Sequence, residues 1–433
     1  MTGLPHPPAP PPAWRFLLPA GVAEIVFLAA LGWCPAADAA GWRALFFAGA
    51  FAAYLVAASR VKDARGGAVL LWATAVAMRL VLLPLEPSLS TDAYRYLWDG
   101  HIQTAGFGPF GRSPLDPDLA GLRTPWFHQI PEPGSVTPFP PLAQISFLIL
   151  SLAGGAVLQV KLLWVGLDLA TGWVLGRIAH HTGRSRRLTQ LLWLWSPLLL
   201  VEVAWSGHLL PLAIFPLALV VLLARVPTAS GVALGLSSMV APASLAALPA
   251  LARRSGYRPL LGCLAAMAVV SAPYALAGRS LLTAPLRIFL EGRFLEGPYL
   301  LVESAIPGDA APRLVALALV LGVSVWAASR RMRIEAALLW VLGAALLVTP
   351  VLRPWYALWI LPFAALRLAW PWILFTGLAF LPYVALPAGP LPGSGPLPVW
   401  VHLAVWLPLV ALLVRELWRT WAARFPSRTV PGS

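Results

Sequence analysis

The sequence predicts an all-α, polytopic membrane protein, and three observations carry that expectation. Of 433 residues, 59% are hydrophobic and only 11% charged, whereas soluble domains carry roughly 25% charged residues. The mean hydropathy is +0.77, and apolar runs approaching the length of a bilayer span recur along the whole chain. Those runs are continuous rather than alternating, which argues against a transmembrane barrel. The net charge of +14 does not point to nucleic acid. Its basic residues sit in short clusters between apolar runs, not on one soluble face.

In chain order, residues 1–14 (MTGLPHPPAPPPAW) are Pro-rich and lack the basic start of a cleavable signal, so they read as a disordered lead. A single membrane domain is expected over 15–420, followed by a cytoplasmic tail over 421–433. The apolar segments fall at 15–34, 43–59, 68–85, 138–154, 157–179, 188–206, 208–224, 231–250, 259–277, 313–328, 335–350, 354–369, 371–387 and 399–418. The basic clusters, around Arg60, Arg184, Arg253, Arg330 and Arg415, mark cytoplasmic loops. Both termini then lie inside, with a large first loop over 86–137 and a second over 278–312 outside. Two stretches resist the count of crossings. Between Thr137 and Arg177 there are two apolar runs where one crossing is needed, so PPLAQISFLIL is expected to enter only partway. Between Arg225 and Arg253 there is one run, GVALGLSSMVAPASLAALPAL, rich in Gly, Ser and Pro. A hairpin of two half-helices lining a cavity would repair it. Cys34 and Cys263 imply no disulfide framework.

Charges at a membrane boundary are costly and mark candidate function. The first outer loop opens EPSLSTDAYRYLWDG. Ser90 or Thr91 suits an N-cap and Gly100 a stop, giving roughly two helical turns between them. Asp92, Arg95 or Tyr96, and Asp99 then share one face. In the simplest reading, Asp92 is a helix-start carboxylate paired with Arg95. In the sharper one, Asp92 sits at the outer boundary, held by Arg95, and accepts the proton of an attacking sugar hydroxyl. Three more places combine polarity with apolar surroundings. VTPFPPLAQISF puts Gln144 behind two prolines in a first helical turn. LLLVEVAWSGHLLPL puts Glu202 and His208 near an outer boundary. TPVLRPWYALWILPF carries Arg353, Trp355 and Tyr356, where an arginine can clasp a phosphate. There is no P-loop, no HExxH and no Cys/His metal spacing. No cofactor is expected, and no dependence on a divalent metal.

The run TDAYRYLWDGHIQTAGFGPF resembles the first outer loop of bacterial membrane glycosyltransferases of the GT-C superfamily. It is most similar to the polyprenyl-phosphate-mannose-dependent mannosyltransferases, in the manner of glycosyltransferase family 87. Three further blocks resemble that family's in order: TPFPPLAQ, LWSPLLLVEVAWSGH and VLRPWYALWILPF. The resemblance spans roughly residues 90–365. It implies a GT-C fold and an inverting transfer of a hexose, mannose in the family, from a polyprenyl phosphate sugar to a glycolipid or glycan acceptor. It also implies a site on the outer face of the bacterial cytoplasmic membrane, in contact with membrane lipids. Carried over by position, Asp92 matches the base, Arg95 and Asp99 match accompanying positions, and Trp355 and Tyr356 match a segment near the donor. Tyr96, Gln144, Glu202, His208 and Arg353 complete the expected substrate-binding set. The chain departs from the pattern at His101, Gly108, Leu209, Leu210 and Arg353, and SSMVAPASL lacks the family's lysine. Two alternatives stay open: a transporter or flippase of a lipid-linked sugar, or an inactive relative with the same fold. A transporter should hold ionisable residues mid-membrane, and in the sequence they gather at outer boundaries.

Overall fold

The computed structural model describes residues 11–34, 40–61, 66–277, 281, 292–386 and 397–422. Among these the regular structure is helical, and a β-bridge joins Phe294 to Val351. The N-terminal lead before residue 11, most of the second loop before residue 292 and the tail beyond 422 lie outside the described residues.

Six helices are long and apolar enough to cross a membrane. They are α1 (Trp14–Trp33), α2 (Ala40–Val61), α6 (Val157–His181), Arg258–Ala277, Ala311–Ser329 and Val399–Thr420. A bent pair, Arg186–Leu194 and Pro197–Trp205, turns by 43° at its break and can make a seventh. The remaining apolar runs become shorter pieces. α3 (Ala68–Leu82) and α5 (Pro141–Leu152) have 15 and 12 residues, and 354–369 divides into a 3-10 turn over Pro354–Trp359 and a helix over Leu361–Arg367. Prolines explain several of these breaks, since a proline ring removes a donor and suits only a first turn. Pro141, Pro197, Pro242, Pro354 and Pro362 each open an element.

The two stretches that upset the crossing count are built differently from plain spans. α5, only 12 residues long, packs against α4 (Asp92–Thr104), whereas α6 is long and apolar enough to cross. Residues 227–255 form a hairpin: α10 (Pro227–Ser238), a 3-10 turn (Pro242–Ala247) and α11 (Leu248–Ser255). α10 packs back to back with the helix starting at Arg258, where Gly231, Gly235 and Gly262 let the backbones approach.

Two ends of the bundle are defined by α6, about 37 Å long at 1.5 Å per residue. Near its start Lys161 donates to the carbonyls of Leu83 and Leu85, which lead into the Asp92 segment. Beyond its last residue Arg184 pairs with Glu335 at 3.3 Å, and Arg187 donates to the Gly66 carbonyl at 2.6 Å. Arg254 donates to the carbonyls of Arg331 and Met332. These contacts link the basic loops to one another, and those around 184 lie at the end of α6 remote from Asp92.

One expectation fails. Ionisable residues are not confined to the boundaries. Glu24, midway along α1, Arg79 on α3 and Asp168, midway along α6, are all buried in the bundle. Arg79 Nε sits 2.6 Å from Asp168 Oδ2. The α1 packing face, Leu17, Ala20, Gly21, Glu24, Leu28 and Leu31, is an apolar stripe with one carboxylate in it. A lone acidic residue inside such a stripe gives no partner away in sequence, because its neighbours come from other helices.

Candidate functional site

Asp92 is the first residue of α4, which extends to Thr104 and so runs past Gly100. Gly100 does not stop the helix. It permits the close crossing of α4 over α5, since a Cβ there would stand 2.2 Å from the Phe147 carbonyl oxygen. The N-cap residue Thr91 makes no side-chain cap, whereas Ser90 Oγ accepts from the Asp92 amide at 3.3 Å. A carboxylate at this first position also faces the positive end of the helix dipole.

Arg95 shares a face with Asp92 but bonds elsewhere. Its Nε meets Asp99 Oδ1 at 2.9 Å, and its Nη1 donates to the Ser135 carbonyl at 3.0 Å. Asp99 is buried and fully engaged, accepting from Thr137 Oγ1 at 2.5 Å and from Gln144 Nε2 at 3.0 Å. Gln144 in turn accepts from Gln103 Nε2 at 3.1 Å, and Tyr274 donates to Gln103 Oε1 at 2.8 Å. Tyr96 is buried too, stacked on Phe147 with centroids 4.7 Å apart and edge-on to Phe139. Arg95, Tyr96, Asp99 and Gln144 therefore brace the loop against α5 and turn no polar group toward open space. Every polar partner in this network is satisfied within it, the condition under which a buried network fixes one conformation.

The partner of Asp92 is His208 rather than Arg95. Asp92 Oδ2 lies 3.6 Å from His208 Nε2, which also contacts Ser90 Oγ at 3.0 Å. On its far side, His208 Nδ1 is 2.8 Å from Glu202 Oε2, and the Tyr383 hydroxyl donates to both Glu202 oxygens at 3.0 and 3.2 Å. The order is carboxylate, imidazole, carboxylate, phenol. Asp92 keeps 27% of its side chain exposed, while His208 and Glu202 are sealed at 2% and 0%. Burial pulls the imidazole pKa down, but the bonds and charges of Asp92 and Glu202 outweigh it and raise the pKa to about 9. At neutral pH His208 is thus a cation between two carboxylates.

A local irregularity brings Glu202 and His208 together. After Pro197 the chain winds into a π-helical turn over Leu200–Trp205, and the His208 amide then donates to the Glu202 carbonyl at 2.9 Å. Such turns recur at functional sites because an extra residue in the helix re-aims side chains. Gly207 follows with φ +74°, the left-handed conformation that glycine takes without strain, and a Cβ there would stand 3.3 Å from Lys161 Cγ.

The fourth block closes the site. Trp355 stacks on the His208 ring, with centroids 4.0 Å apart and planes 28° apart. Arg353 rests its guanidinium 4.2 Å above the Phe294 ring and 5.9 Å from that of Trp355. The Phe294–Val351 bridge fixes this stack, with the Leu352 amide donating to Phe294 at 2.7 Å. Tyr356 stands edge-on to Trp355, within electrostatic reach of both Arg353 and Asp92. Asp92, Glu202, His208, Arg353, Trp355 and Tyr356 therefore gather at one end of the bundle. Sequence reasoning missed Tyr383, Ser90 and Phe294. Tyr383 lies inside a run read as a plain span, 175 positions beyond His208, and nothing local distinguishes it. In the sequence Ser90 offers only a helix cap, whereas Phe294 belongs to a loop with no periodicity.

The fold and site define a multi-pass helical membrane protein with an acid–imidazole centre at one end of its bundle. Residues 26–255 match the family model of the MptA_B family, described as alpha-(1->6)-mannopyranosyltransferase, N-terminal domain. That match covers more than half of the chain and takes in Asp92, Glu202 and His208. The chain belongs to this family of mannosyltransferases. No curated protein and no solved structure matches it.

Proposed function

We propose that the protein transfers mannose from a polyprenyl-phosphate mannose to a hydroxyl of a lipid-linked or envelope glycan acceptor, with inversion, and that Asp92 is the general base. The family description suggests the 6-hydroxyl of an acceptor mannose. In this reading the acceptor oxygen attacks the anomeric carbon and its proton passes to the free Asp92 oxygen. The bond to the phosphate oxygen breaks, polyprenyl phosphate leaves with that electron pair, and a β-linked donor yields an α-glycoside. His208 holds the other Asp92 oxygen, and Arg353 and the imidazolium favour the phosphate charge that develops on the leaving group. The site needs no cofactor in this scheme, because the sugar arrives already activated. The reaction takes place at the outer face of the bacterial cytoplasmic membrane, with both termini and the basic loops inside.

The observation that carries this reading is the contrast within one row of paired groups: Asp92 is open, and every group behind it is sealed. A structural ion pair would gain nothing by exposing one end. The test is mannosyl transfer by the purified chain in lipid nanodiscs, using radiolabelled polyprenyl-phosphate mannose and a mannose-terminated glycolipid. Asp92→Asn should lower turnover by roughly 10²–10⁴-fold, the usual worth of a positioned base. Full activity in a folded Asp92→Asn protein would remove Asp92 from the role.

A further inference from the structure

The buried charges of the bundle interior play no part in that reaction. Arg79 is permanently cationic and is matched by Asp168 at 2.6 Å, so that pair is neutral. Glu24 is a third charge. It is 0% exposed, and neither of its carboxyl oxygens has a hydrogen-bond partner. Asp168 Oδ1 and Arg79 Nη2 are likewise buried and unpartnered. Arg79 reaches Glu24 electrostatically from α3 and Tyr54 does so from α2, while Asp168 stands behind Arg79 on α6. The Tyr54 hydroxyl is already spent on the Leu192 carbonyl at 2.9 Å, and Arg79 Nη1 on those of Ala75 and Leu194. Counted as ionised groups, the three carry one surplus negative charge in a water-poor interior. An unaccompanied carboxylate there is strongly disfavoured, and orphaned buried oxygens call for a ligand of their own. Anionic oxygens in such a setting suit a hard cation or a proton.

We propose that Glu24, within electrostatic reach of the neutral Arg79–Asp168 pair, takes up one positive charge inside the bundle, either a proton or a sodium ion. A ligand that binds the folded chain alone stabilises it by mass action, so occupancy is visible without any activity assay. The whole protein in detergent or nanodiscs suffices, and two measurements separate the two sources of charge. The first is the infrared carbonyl band of a neutral carboxylic acid, recorded in choline chloride and shifted by deuterium exchange. The second is thermal unfolding at fixed pH and ionic strength with sodium replacing choline. A proton gives the band, which Glu24→Gln removes. Sodium gives a Tm that rises with sodium concentration, a dependence that Glu24→Gln abolishes. Wild-type protein showing neither the band nor the sodium dependence overturns the proposal, and so does a band or dependence that survives intact in Glu24→Gln. Where Glu24→Gln does not fold, Glu24→Asp takes its place: it keeps the acid but moves it, so the band frequency or the sodium dependence must shift, and an unshifted signal overturns the proposal.

Discussion

The molecule contains two clusters of the same composition, carboxylate, cation, carboxylate, built for different ends. Asp92–His208–Glu202 lies where α4 begins, with one carboxylate open. Glu24–Arg79–Asp168 lies inside the bundle with every member buried. The cations differ in kind. Histidine changes its charge near physiological pH and can couple to a reaction, whereas arginine is a fixed charge. The lesson is that composition alone separates neither chemistry from architecture. The exposure of one end and the choice of cation do.

Substitution should break this symmetry most sharply at the two aspartates. Asp92→Asn removes the base and leaves the fold, so turnover falls by roughly 10²–10⁴-fold while the unfolding transition stays in place. Asp168→Asn does the reverse. It strands Arg79 without its partner and should cost about 3–5 kcal/mol of stability, read as a lower denaturation midpoint, while the activity of each folded molecule persists. A loss of activity per folded molecule in Asp168→Asn would show that the inner cluster is not independent of the outer one.

The next effect is steric. Gly100→Ala sets a methyl against the Phe147 carbonyl and should cost about 1–3 kcal/mol, the usual penalty for overpacking. The shift should be accompanied by easier proteolysis of the loop that α4 and α5 hold between them. An unchanged midpoint would mean that the two helices can part freely.

A titration sharpens the contrast of cations. The folded pKa of His208, about 9, stands above the ordinary imidazole value of 6.5. The stabilising charge of the imidazolium is therefore complete below pH 6.5 and is lost as pH rises through about 9. Transfer should fall on that alkaline side, and His208→Gln should give a lower rate without that limb. Imidazole NMR of wild-type and Glu202→Gln proteins checks the same point directly, because loss of Glu202 should bring the titration down toward the ordinary value. The smallest effect is expected at Tyr383→Phe, which removes one donor from Glu202 and should lower the rate by about tenfold, the worth of one hydrogen bond to a charged group.

Much of this was legible in the sequence. Apolar length and sparse charge specified the helical membrane class, and ordered motif blocks picked out Asp92, Glu202, His208, Arg353, Trp355 and Tyr356, which the chain brings to one end. The hairpin over 227–255 was legible as well, because Gly, Ser and Pro in a run that must return leave few other solutions. Pairing was not legible. Arg95 sits one turn from Asp92 yet bonds Asp99, since both positions suit a helical ion pair and only the neighbouring Thr137 and Gln144 favour one of them. Gly100 shows the same limit: a glycine that can end a helix can equally admit a crossing backbone, and the choice is made by Phe147 from another helix. Glu24 is the strongest case, being surrounded in sequence only by apolar neighbours.

The π turn over Leu200–Trp205 makes the site sensitive to length as well as to identity. A π turn is an α-helix with one residue too many. Deleting a single residue there would restore regular winding and re-aim the side chains of the turn itself, while leaving the chain beyond it in place. Glu202 and His208 would then no longer face one another, although each would survive unchanged and the bundle would still close. One codon's worth of chain thus acts as a register switch between a helix that carries an acid–imidazole pair and one that merely crosses. Relatives aligned without regard to that one-residue gap could share every residue of the motif and still differ in what their helix presents.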